Sequence, residues 1–157
     1  MSRIKLYEEF SNFINKKIYD SPEFNRILEE AIEPSSFICS FVASAIKMLE
    51  GDAIKIYGFS YEENPSSVYF SPEELQEGHH FAVYNDRLII DPWVFEGYNR
   101  SVFDLNSQKD KDIIEYIYGD KNNWTDITKY SDNFKNLFPN TYQDLIDFHN
   151  KYTRKDI

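Results

Sequence analysis

The chain has 157 residues, 41% of them hydrophobic and 17% aromatic, with a formal net charge of −10. That size and apolar content fit one packed domain and exclude a disordered chain, while the acidic balance repels phosphate backbones and argues against a nucleic-acid partner. No apolar run approaches the roughly 18 residues that would suggest a membrane-spanning helix, and the lone cysteine, Cys39, excludes an intrachain disulfide and any CxxC metal or redox motif.

The first stretch, MSRIKLYEEF, carries acids where a signal peptide carries its apolar segment, so a cytoplasmic protein is expected. Ile4, Tyr7, Phe10 and Ile14 recur at helical spacing and predict an amphipathic helix over 3–18. Ser21-Pro22-Glu23 reads as a helix start: a capping hydroxyl, a proline where no N–H is needed, and an acid at the positive end. A helix over about 22–32 follows. Pro34-Ser35-Ser36 breaks it and opens a third, whose Ile38, Phe41, Val42, Ala45, Ile46 and Leu49 form one apolar stripe ended by Gly51.

The period then changes. Ala53 to Phe59 alternates as a strand does, with Ile54 and Ile56 on one face. Residues 60–78 are polar and broken by Asn64-Pro65 and Ser71-Pro72, which predicts a long loop with a helical turn near Pro72–Gln76; such loops often serve as lids or binding loops. Tyr57, Tyr61, Tyr69 and Phe70 beside it could line a groove or pack the core. Two apolar runs follow, about 79–84 and 87–91, and from about Asp110 the pattern is again helical. Helices, strand, hairpin, helices: the order predicts an α+β fold in one domain, with N-terminal helices packed on a small antiparallel sheet and extra C-terminal helices.

The hairpin, GHHFAVYNDRLIIDP, carries the chemistry. A two-residue Asn85-Asp86 turn places residues whose numbers sum to 171 opposite each other, and so sets His80 against Asp91 at roughly 4.5–5.5 Å between Cβ atoms. A slip of one residue would move His80 opposite Pro92 and undo that pair. A carboxylate on one ring nitrogen fixes the tautomer and leaves the other nitrogen as a base. The matching nucleophile is Cys39, expected in the first turn of its helix, where the dipole and unpaired N–H groups favour a sulfur anion. Cys39, His80 and Asp91 are therefore the expected catalytic residues, with His79 as the less favoured base. The blander readings are a small buried Cys39, an Asp91-Pro92 strand stop, a core Trp93, and a metal site of His79, His80 and Asp91, from which the third histidine, His149, is distant in sequence. The chemistry expected needs no cofactor and no metal.

The stretches FICSFVASAIKMLEGDAIKIYGFS and GHHFAVYNDRLIIDPW resemble the small papain-fold toxin domains of bacterial polymorphic toxin systems. The resemblance spans about residues 35–95, with helical extensions over 1–34 and 110–157. It implies a papain-like fold with Cys39 as nucleophile, His80 as base and Asp91 as its orienter. It further implies a cysteine-dependent amide hydrolase, a glutamine deamidase or thiol protease or an acyl-transfer enzyme, acting on a protein or peptide. A toxin or effector of this kind would have a cognate inhibitor protein. One departure stands out: where the family often has an oxyanion-binding glutamine upstream of the cysteine, this chain has Glu33, leaving that part to the Cys39 N–H and to Ser35 or Ser36. The alternative expectation is a non-catalytic binding or regulatory module that keeps the fold.

Overall fold

The computed structural model describes residues 14, 16–33, 38–60, 62–68, 78–131 and 133–155. Most of the expected helix over 3–18, the Ser35-Ser36 pair, Tyr61, Tyr69, Phe70 and the Pro72–Gln76 turn lie outside them. Helix α1 is Lys16–Tyr19 and α2 is Pro22–Glu30, whose cap Ser21 accepts the Glu23 N–H as its sequence predicts. Helix α3, Cys39–Glu50, ends at Gly51 with φ of 77°, a left-handed stop that glycine takes without strain. Strands β1 (Ile54–Ser60), β2 (Gly78–Tyr84) and β3 (Leu88–Ile90) follow, then helix α4 (Phe95–Tyr98) and strand β4 (Val102–Asp104). Helix α5 (Lys111–Tyr118), strand β5 (Thr125–Asp126) and helices α6 (Phe134–Leu137) and α7 (Pro139–Lys155) come next among the described residues.

The architecture is α+β, built on a five-stranded antiparallel sheet in the order β4-β3-β2-β1-β5. Side chains alternate across it. Ile54, Ile56, Ala82, Tyr84, Leu88 and Ile90 pack with Val42 and Ile46 of α3, joined by α7 through Leu145 and Phe148. Phe81, Val83, Ile89 and Phe103 pack with Ile114, Ile117 and Tyr118 of α5 on the other face. Burial of both faces explains why β2 and β3 read as nearly continuous apolar runs rather than clean alternations. Among the described residues no helix is long and apolar enough to cross a membrane.

The hairpin turn corrects the expected register. Asn85 and Asp86 take left-handed φ of 49° and 57°, and the Arg87 N–H closes the turn on the Tyr84 carbonyl at 2.9 Å. Arg87 is then left over as a bulge, and Leu88, not Arg87, pairs with Tyr84. Partner numbers sum to 172, as in Ala82 with Ile90 and Val83 with Ile89. The bulge keeps a guanidinium out of the α3 face. Arg87 instead bonds Asp104 of β4 at 3.2 and 3.1 Å, and its carbonyl accepts from Leu105.

Candidate active site

The slipped register decides which histidine meets the acid. Odd-numbered residues of β2 share a face with Asp91, so His79 is its diagonal neighbour and His80 points the other way. The expected His80–Asp91 pair is therefore not formed. Nε2 of His79 donates to Oδ2 of Asp91 at 2.6 Å, with side-chain exposures of 0% and 2%. Tyr118 of α5 donates its hydroxyl to the same oxygen at 2.8 Å. The rings of Trp93 at 5.1 Å, and of Phe81 and Tyr118 at 5.9 Å each, close around the imidazole. Trp93 thus serves the core and covers the pair at once. Strand β2 can begin here because Gly78 has φ of 136° and a side chain at that position would run into the Phe59 carbonyl.

Cys39 comes to this histidine from the start of α3. It is the first helical residue after the cap Ile38, and the first intrahelical bonds, from Phe41 and Val42, go to the Ile38 carbonyl. The N–H groups of Cys39 and Ser40 consequently lie outside the helix ladder and face the end of the dipole. Strand β3 ends opposite Ala82; two residues back along β2, where the next rung would fall, the His80 N–H donates to Cys39 Sγ at 3.4 Å. The thiol takes the place of the missing strand. It also touches the titration of His79. Burial by itself lowers the pKa of that ring, but the Asp91 charge and hydrogen bond, with the hydrogen bond and charge of Cys39, outweigh it and push the value up to about 10. With Nε2 engaged by Asp91, Nδ1 is the ring nitrogen left for the sulfur.

His80 lies on the α3 face, half-buried, above Gly58. Burial, then the charge of His79, lower its pKa. Because the two histidines diverge, the His79, His80 and Asp91 metal trio does not converge, and among the described residues no group of three or more His, Cys, Asp or Glu suits a metal ion. Half-buried Cys39 opens into a cleft of about 560 Å³, walled by Ile38, Gly58, Glu63, His80 and Ile127. Glu33 is exposed.

Tyr118 is the member that sequence reasoning missed. Its signal is present: a tyrosine one turn after Ile114 on the buried stripe of α5 must find a partner for its hydroxyl. No family model, curated protein or solved structure matches the chain.

Proposed function

We propose that the protein is a cysteine-dependent amide hydrolase of papain-like architecture, with Cys39 as nucleophile, His79 rather than His80 as base, and Asp91 as the group that orients it. The observation that carries this reading is the buried His79, held to Asp91 at 2.6 Å and lining one cleft with the thiol that begins α3. In the reaction, His79 holds the proton that leaves Cys39. The sulfur attacks the amide carbonyl carbon, and the carbonyl electrons move onto oxygen, where the Cys39 N–H donates. The C–N bond then breaks as His79 gives its proton to the departing nitrogen, leaving a thioester. Water adds to the thioester and loses a proton to His79; the C–S bond breaks, releasing the acid and restoring the sulfur. If the nitrogen leaves as ammonia, the enzyme is a glutamine deamidase; if as a peptide amine, a protease. Tyr118 and Asp91 hold the ring and its tautomer throughout.

The resemblance over residues 35–95 supports a toxin or effector that acts on a protein or peptide. Iodoacetamide at pH 6 tests the chemistry. A His79-paired sulfur alkylates at least about tenfold faster than free cysteine, which is mostly thiol at that pH. Slow labelling would favour the non-catalytic binding module. Expression of the chain should harm cells while the Cys39→Ala variant does not; equal harm from both removes the catalytic toxin.

A further inference from the structure

A second hollow, of about 260 Å³, adjoins the Cys39 cleft on the α3 face of the sheet and shares Ser40, His80 and Ile127 with it. Ser44, Tyr130 and Ser131 supply the rest of its polar wall. The two hollows join at Ser40, His80 and Ile127, and His80 stands over Gly58, its β1 partner. A Cβ at Gly58 would sit 2.7 Å from His80 Cδ2 and 3.1 Å from Ile127 Cδ1, so only glycine leaves the imidazole and the passage where they are. Three serine hydroxyls, a phenol and one imidazole line this space, and none of its lining residues is Asp, Glu, Lys or Arg. Hydroxyls and a neutral imidazole both donate and accept hydrogen bonds but cannot balance a full charge. Ile38, 51% exposed, lines the Cys39 cleft, and the ring of Tyr130, 72% exposed, lines the hollow; both suit the hydrocarbon part of whatever enters.

We infer that this hollow is a substrate subsite that accepts an uncharged hydrogen-bonding group, a carboxamide or hydroxyl, next to the carbonyl attacked by Cys39, and that His80 is a specificity-determining residue there. The inference rests on Cys39 being the nucleophile. It gives His80 a role in the same site from which the register removes it as base. The lowered pKa of His80 fits, since it keeps that ring neutral where a cation would draw carboxylates in.

Three chloroacetamides of equal length test it, with N-substituents ending in a carboxamide, a carboxylate or a methyl group: chloroacetyl-β-alaninamide, chloroacetyl-β-alanine and N-butylchloroacetamide. In each, the Cys39 sulfur displaces chloride and a thioether forms. Labelling rates are read by intact-protein mass spectrometry and divided by the iodoacetamide rate of the same protein, so that thiol reactivity cancels. The carboxamide probe should exceed the other two by about tenfold, the worth of one or two hydrogen bonds. Gly58→Ala, which drives a methyl into the passage, and Ser131→Leu, which fills the hollow from its mouth, should each bring that preference to within about twofold. Equal rates for the three probes on the parent protein, or a preference that survives both variants, overturns the subsite. A slow absolute iodoacetamide rate with the preference intact would instead count against His79 as the base, and so separates the two claims.

Discussion

The two ends of α3 carry the same hydrogen-bonded trio in different settings. At the start, His79 and Tyr118 donate to one oxygen of Asp91. At the end, His149 at 3.0 Å and Tyr19 at 2.5 Å meet one oxygen of Glu50. The second trio is structural. Glu50 sits at the negative end of the helix dipole, and its partners offset that placement while tying α1 and α7 to α3. The first differs by a sulfur, a cleft and a fully buried ring at the wall of that cleft. A histidine–carboxylate pair therefore says little about chemistry until the group beside the ring is known.

Substitutions separate the two trios. The largest effect should come from His79→Ala, which lowers alkylation of Cys39 at pH 6 by about a hundredfold or more, in the range general-base loss produces. His149→Ala should leave the same rate within about twofold and act on stability alone. Next, Asp91→Asn should cost about ten- to a hundredfold in the labelling rate, because the ring loses the charge that holds its proton and tautomer. Chemical denaturation should show the pH dependence of the first trio. The His79 pKa is raised, from 6.5 to about 10, so the stability it contributes is complete below pH 6.5 and is lost as pH rises through 10. His79→Gln should flatten that slope between pH 7 and 10; an unaltered slope would mean the ring is not the titrating group. The smallest effects should be those of Tyr118→Phe and Tyr19→Phe, each about 1–2 kcal/mol of stability in denaturant melts, the worth of one hydrogen bond to a carboxylate. Only Tyr118→Phe should also slow alkylation.

Much of this molecule is legible residue by residue. Ser21-Pro22, the stripe from Phe41 to Ile46, the alternation from Ile54 and the Asn85-Asp86 turn are local signals, and each appears where expected. Asp91 does meet a histidine, and Cys39 lines one cleft with both His79 and His80. Which histidine turned on a single bulged residue, Arg87, and what holds that bulge is Asp104, seventeen positions on in a strand the sequence did not announce. Strands β4 and β5, of three and two residues, are too short to display a period. Their existence depends on a sheet edge already being there. Likewise Tyr118 reaches Asp91 from the far layer, a contact between elements that no local pattern encodes.

The sharpest check on the Cys39–His79 chemistry is the rate at which iodoacetamide labels Cys39 at pH 6 in the parent, His79→Ala, His79→Gln and His80→Ala proteins, each first shown to be folded by its melting transition. A sulfur activated by His79 predicts a loss of about a hundredfold in both His79 variants and a far smaller change, about threefold at most, in the His80 variant. Loss in His80→Ala with reactivity kept in the His79 variants, or one slow rate in all four proteins, would contradict it.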